Sequence, residues 1–180
     1  MPKEVGKIRV GVLALQGAFI EHVEMLKSLG VKAVEVRTAK DLNGLDGLII
    51  PGGESTTMNL LIGEIKKNMK NCPIFGTCAG AILLSQQNLL NIDVERNAYG
   101  SQLDSFEDDF QFQGHNFHGI FIRAPKIIKV GPKVEVLAKN SKDEIVLVRE
   151  GNYLAATFHP ELTEDAIIHK YFIQNLLKAS

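Results

Sequence analysis

Cys78 stands in Gly76-Thr77-Cys78-Ala79-Gly80, between the short apolar run PIF and the aliphatic AILLS. Glycine two residues before and two residues after a nucleophile is the pattern of a nucleophile elbow, here with cysteine where many hydrolases carry serine. Those glycines remove the Cβ atoms that a sharp strand-to-helix turn would drive into its neighbours, and they leave the central side chain above the sheet. The helix that follows presents a partial positive charge to an anionic nucleophile. A lone cysteine is more often a small buried hydrophobe. The strand-turn-helix setting is what favours a chemical role.

A nucleophilic thiol needs a base that later returns the proton to the leaving group, and imidazole titrates in the range that suits both steps. Among five histidines, His159 follows the strand-like YLAATF and precedes Pro160 and Glu161. In extended chain, residues i and i+2 share a side, so Glu161 is expected to reach and orient the imidazole as the third member of a triad does. Alone, His-Pro-Glu reads as the flank of a helix start. Beside an elbow cysteine it reads as base and orienter. His22 is assigned to a structural place on the first helix, His115 and His118 to a loop, QGHNFHG, and His169 to the surface of the last helix. No second cluster completes a ligand set around the loop histidines, so no metal is expected. Cys72, before Pro73, is read as a structural thiol.

Attack on a carbonyl requires donors for the developing oxyanion. The Ala79 amide, directly after the nucleophile, is one. The second is expected from Gly53 in PGGEST, where paired glycines let main-chain N–H groups approach a ligand and Ser55 or Thr56 caps the next helix. A tight turn followed by a cap would account for PGGEST equally well if it stood alone. No phosphate loop or dinucleotide fingerprint is present, and Gly11 and Gly17 lack the spacing of the latter. Cofactors are accordingly expected to be none.

These side chains must be carried by an alternating framework. The nearly continuous apolar run Ile8 to Leu15 reads as a strand covered on both faces, Gly47 to Pro51 as another buried strand, and Val31 to Val36 and Pro73 to Phe75 as two further strands. Between them, Ala18 to Leu29 and Thr56 to Met69 have helical spacing, the latter placing Met58, Leu61, Ile62 and Ile65 on one side. From about Val94 the rhythm changes to VEVLA, EIVLV and YLAATF, separated by turn signals, which predicts hairpins extending the sheet. Thr163 is the expected N-cap of a closing helix whose buried stripe is Ile167, Ile168, Tyr171, Phe172 and Leu176. The fold class is therefore α/β: a three-layer, doubly wound, flavodoxin-like mixed sheet, mostly parallel, with antiparallel hairpins in the C-terminal half. The strands ending at Pro51, Phe75 and Phe158 bring all three motifs to the carboxyl edge, where open α/β sheets bind ligands.

The chain of 180 residues allows one domain, 1–180, and its 45% hydrophobic and 23% charged composition suits a packed core. Twenty basic and 21 acidic residues leave a formal net charge of -1, which argues against nucleic acid or an anionic membrane as partner. The longest aliphatic runs fall short of the roughly 18 residues a membrane span needs. Two cysteines and an opening MPKEVGKIRV without a signal-peptide pattern point to a reducing, cytoplasmic setting.

At these residues the sequence resembles the class I, triad-type glutamine amidotransferases. GVLALQGAFIEH, PGGEST, GTCAG, VERNAYG, QLDSF, FIRAP and FHPELTED together resemble, within them, the glutaminase subunits of pyridoxal 5′-phosphate synthases. The likeness runs from Val10 to about Asp165. It implies a Cys78, His159, Glu161 triad hydrolysing L-glutamine to glutamate and ammonia through a γ-glutamyl thioester. It also implies glutamine-binding positions at Gly53, Glu54, Ser55, Arg96, Ile122 and Arg123, where an arginine suits the substrate's α-carboxylate by two parallel hydrogen bonds. The implied partner is a (β/α)8 barrel synthase subunit that receives the ammonia in a hetero-oligomer, with weak glutaminase activity until docking. Gln16-Gly17 resembles a family segment that reorganises near the oxyanion hole on docking. Two stretches, between Leu84 and Val94 and at QGHNFHG, are shorter than the family's. The competing readings are a stand-alone γ-glutamyl cysteine hydrolase, a glutaminase serving another biosynthetic synthase, and a non-enzymatic flavodoxin-like module in which Cys78 is redox-active or structural.

Overall fold

Aliphatic and β-branched runs in the first half of the chain form β1 (Arg9–Leu13), β2 (Lys32–Val36), β3 (Gly47–Ile50) and β4 (Ile74–Thr77). The computed structural model describes residues 2–15, 17–53, 55–99 and 105–178. Three helices alternate with these strands: α1 (Phe19–Ser28), α2 (Ser55–Asn68) and α3 (Ala79–Gln86). The second half adds β5 (Ile92–Glu95), β6 (Ser105–Phe112), β7 (His115–Ile122), β8 (Lys126–Val130), β9 (Glu135–Lys139), β10 (Ile145–Glu150) and β11 (Tyr153–Ala156). The described chain closes with α4 (Ile167–Tyr171), continued by a π-helical turn over Phe172–Leu176.

The main sheet has nine strands in the order β2-β1-β3-β4-β11-β10-β8-β5, with β9 pairing β10 off that path. Pairs from β2 through β11 are parallel. Those joining β10 to β11, β8 and β9, and β8 to β5, are antiparallel. This is the expected mixed α/β sheet, parallel in the centre and extended by hairpins.

Alternation along the strands sorts side chains into two cores. Ile49, Phe75, Leu154 and Ala156 pack with Val23 and Leu26 of α1 and Ile168 and Phe172 of the last helix. Leu48, Ile50, Ile74 and Ala155 pack on the other face with Ile65 of α2 and Ala81 and Leu83 of α3. The sheet is thus the middle of three layers. Of the stripe expected on α2, Ile65 is buried and Leu61 and Ile62 are partly so, whereas the Met58 side chain lies outside the described residues. Among the described residues, no helix is long and apolar enough to cross a membrane.

Three expectations are corrected. The stretch QGHNFHG is not a loop: it is the tip of a second, two-stranded sheet formed by β6 and β7, paired from Ser105 with Ile122 to Phe112 with His115. Gln113 and Gly114, with φ of 50° and 74°, make the tight turn. Positive φ at both positions matches the twist of antiparallel strands, so His115 and His118 are strand residues. Thr163 does not cap the closing helix; its hydroxyl donates to the Pro160 carbonyl, and Asp165 Oδ1 accepts the Ile167 N–H at 3.0 Å. His169 is fully buried, because the covered stripe of α4 widens from Ile168 to Tyr171 to include it.

Candidate active site

Parallel pairing of β3, β4 and β11 sets Ile50 beside Gly76 and Thr77 beside Ala156, so the three strands end on one edge. Cys78 leaves β4 with φ 52° and ψ -109°, a sparsely populated conformation for a residue bearing Cβ. Its N–H is held by the Ala156 carbonyl at 2.9 Å. The elbow depends on its glycines. A Cβ on Gly80 would lie 2.0 Å from the Ile50 carbonyl oxygen, and one on Gly76 would lie 2.6 Å from Gly80 backbone. The Cys78 thiol points toward the Ile122 carbonyl at 3.7 Å.

His159 follows β11, and its N–H donates to the Ile120 carbonyl of β7 at 2.8 Å. The preceding Phe158 packs against Phe110, Phe117 and Phe121 at ring-centroid distances of 5.0, 5.4 and 5.7 Å. The β6–β7 hairpin therefore fixes where the imidazole emerges. Nδ1 of His159 lies 2.7 Å from Glu161 Oε1, a buried contact. Glu161 makes that reach from a 3₁₀ turn over Pro160–Leu162, so the extended geometry expected from i, i+2 spacing is replaced by a tighter one with the same outcome. The absent Cβ of Gly52 would touch His159 Cε1 at 3.0 Å and Cys78 Cβ at 3.4 Å. Thiol and imidazole, distant in sequence, flank the same glycine.

Burial works against protonation of His159, but hydrogen bonding with Cys78 and with Glu161 outweighs it and carries the pKa up to about 10. Behind Glu161, burial lowers both neighbouring histidines. His22 is pushed well below its ordinary value, with His169 and His159 adding to the effect, and His169 falls to about 3. The signs of these shifts predict a stability maximum near pH 6.5. Below it, unfolding lets His22 and His169 take up protons they refuse in the fold, so stability falls toward acid. Above it, the folded state keeps the His159 proton that the unfolded chain releases, so stability falls as pH rises toward about 10. Urea midpoints from pH 4 to 10 should trace this dome, and His159→Gln should flatten its alkaline side.

A cavity of about 540 Å³ opens over these groups, lined by Gly53, Cys78, Ala79, Arg96, Ile122, Arg123 and His159 among others. Seven of the residues singled out from sequence thus meet at one mouth, and Glu161 lies behind His159. Ala79 begins α3, where the first helical N–H groups have no intrahelical partner. Gly53 has φ 147°. A Cβ on Gly17 would lie 1.8 Å from the Gly52 carbonyl oxygen, so that glycine is needed for the chain to pass. Glu54 and Gln16 lie outside the described residues, as does the side chain of Ser55. Gly52, Ile82, Asn97 and Pro125 also line the cavity and were not named as site residues. Gly52, Asn97 and Pro125 lie within PGGEST, VERNAYG and FIRAP, and that membership was the available signal.

Elsewhere, His118 is held between Asp109 and Glu107, whose hydrogen bonds raise its pKa, and His115 lies 2.7 Å from Asp165. Burial raises the Cys72 thiol to about 11, aided by Asp46, and it sits 3.2 Å from the Asp46 carbonyl.

A doubly wound sheet with an elbow cysteine and a carboxylate-backed histidine on its carboxyl edge places the chain in the glutamine amidotransferase fold class. The model of the SNO glutamine amidotransferase family matches residues 12–178. The chain belongs to that family. It is 47% identical, over 93% of its length and 98% of the relative's, to the pyridoxal 5′-phosphate synthase subunit PdxT of Moorella thermoacetica. The Thermus thermophilus PdxT is 50% identical over 92% of this chain and 96% of its own. A solved glutamine amidotransferase superposes with a TM-score of 0.85 at 48% identity, covering 94% of this chain and 99% of that one.

Proposed function

We infer that this chain is the glutaminase subunit of a pyridoxal 5′-phosphate synthase, hydrolysing L-glutamine to L-glutamate and ammonia and passing the ammonia to a (β/α)8 barrel partner for vitamin B6 biosynthesis. Family membership and the PdxT relatives support the activity. The observation that carries the assignment of residues is the buried 2.7 Å contact of Glu161 with His159, whose ring and the Cys78 side chain both flank Gly52 at the cavity floor. In this reading residues 1–180 act as one glutaminase domain, working in the cytoplasm, with no metal or cofactor of its own.

The chemistry follows from the placement. Cys78 Sγ, as thiolate, adds to the side-chain carboxamide carbon of glutamine, and the Ala79 and Gly53 N–H groups receive the oxyanion. His159 gives its Nε2 proton to the departing nitrogen, ammonia leaves, and a γ-glutamyl thioester remains. Water then attacks the thioester, His159 accepts the water's proton, and glutamate is released with the thiolate restored. Glu161 holds the Nδ1–H of the imidazolium throughout. Arg96 and Arg123 bind the substrate's α-carboxylate, while Gly53, Glu54, Ser55 and the Ile122 main chain align the rest of the amino acid.

The test is ammonia release from glutamine by the chain with and without a cognate barrel subunit. A sharp rise on adding the barrel is expected. Equal turnover without it, extending to γ-glutamyl substrates larger than glutamine, would instead establish a stand-alone hydrolase.

A further inference from the structure

The site has a second tier that the proposed reaction does not use. His22 of α1 and His169 of α4 are both fully buried, and His22 Nδ1 lies 2.8 Å from His169 Nε2. The other ring nitrogen, His22 Nε2, lies 3.3 Å from Glu161 Oε2 and 3.3 Å from Thr77 Oγ1. The approach to Oε2 is off-line for a full hydrogen bond, and Oε2 has no other partner among the described residues. Glu161 Oε1 is already committed to His159 Nδ1.

Satisfying these groups leaves one proton arrangement. A buried carboxylate oxygen accepts and cannot donate, so a lone pair on His22 Nε2 facing Oε2 would be repelled; Nε2 therefore carries the hydrogen, which Thr77 Oγ1 accepts and which Oε2 attracts from off-line. Burial keeps His22 neutral, with His169 and His159 opposing its protonation, so its Nδ1 is an acceptor. His169 Nε2 must then donate to it. That leaves His169 Nδ1 as a lone pair, in keeping with its having no hydrogen-bond partner among the described residues. His169 thus donates to His22, His22 turns its N–H to the side of Glu161, His159 donates to Glu161, and the run from His169 through His22 and Glu161 to His159 ends at Cys78.

We propose that His22, backed by His169, is a positioning residue: its Nε2–H, 3.3 Å from the far oxygen of Glu161, attracts that carboxylate electrostatically and keeps the near oxygen aligned on His159 Nδ1. For its kinetic consequence this rests on the glutaminase reading above. His22 touches neither thiol nor cavity, so it acts only through Glu161. Partners one step behind a reacting group change activity by roughly 10- to 100-fold when removed.

The test uses the chain bound to its barrel subunit, with His22→Phe, His22→Gln and His22→Asn. Phenylalanine keeps the ring volume without the donor. Glutamine places an N–H near the lost Nε2, and asparagine can still accept from His169 but is too short to reach Glu161. Expected are a kcat lower by about tenfold or more in His22→Phe and His22→Asn at unchanged KM, recovery in His22→Gln, and a displaced His159 Nδ1 proton resonance only in the first two. Should His22→Phe fail to fold, His22→Asn decides. Unchanged kcat and resonance in that variant, or equal losses in all three, would overturn the proposal. If the wild-type complex releases no ammonia, the glutaminase reading fails, and the His159 resonance alone decides the positioning role.

Discussion

Replacing Cys78 with alanine is expected to abolish glutamine hydrolysis, by on the order of 10⁴-fold or more, because among the described residues lining the cavity no other side chain carries a thiol or hydroxyl to form the acyl intermediate. His159→Asn is expected to cost a similar factor, and the double variant little more, since nucleophile and base act as one unit. Association with the barrel subunit should persist in each, because neither substitution removes core volume at a strand or helix interior. Steady-state ammonia release on the assembled complex, with sedimentation to verify assembly, measures both. A glutamine-mimicking electrophile should label the wild-type thiol and fail on Cys78→Ala. A Cys78→Ala variant with near-normal turnover would place the chemistry elsewhere, and an unlabelled thiol would favour a non-enzymatic role.

Gly80→Ala is expected to be strongly destabilising. The added carbon would lie 2.0 Å from the Ile50 carbonyl oxygen, a backbone atom of a central strand that cannot turn aside. The strain is relieved only by moving α3 off β3, at about 3 kcal/mol or more, which for a chain of this size lowers Tm by roughly 6–12 °C. Because α3 carries the Ala79 amide, activity should fall with stability. Gly63→Ala is the control. Its Cβ would meet nothing within 4 Å, and in α2 the alanine should stabilise by about 0.5–1 kcal/mol. Thermal melts of the two variants would separate a steric requirement for glycine from a general sensitivity to substitution. Equal stability of Gly80→Ala and wild type would remove the steric account of the elbow.

Much of this architecture was legible in the amino-acid order. Strands β3 and β4, and most of β1, announce themselves as short aliphatic runs, because a central parallel strand is buried on both faces and has no polar side to display, whereas the edge strand β2 exposes Lys32 and Glu35. The elbow was legible for a local reason: Gly76 and Gly80 lie two residues either side of Cys78, and their need is set by clashes within that turn. The hairpin of β6 and β7 was harder. Phe106, Phe110 and Phe112 alternate before the turn, and Phe117 and Phe121 after it, yet Glu107, Asp108 and Asp109 between them give the stretch the polar texture of a loop. Its strand character is stabilised by what the phenylalanines cover, above all Phe158, which belongs to a distant part of the chain.

The residue types, the elbow and the motifs PGGEST, VERNAYG and FIRAP were present in the chain's order, since each is a pattern of neighbours within a few positions. That order did not reveal the company Glu161 keeps. His22 and His169 carry no local mark distinguishing them from helix histidines at a surface, and it is the packing of α1 and α4 on the same face of the sheet that drives both rings together behind the carboxylate. Contacts of that kind depend on which side each crossover takes and on how far each helix sinks into the core. Those are properties of the assembled layers, and no segment holds them alone.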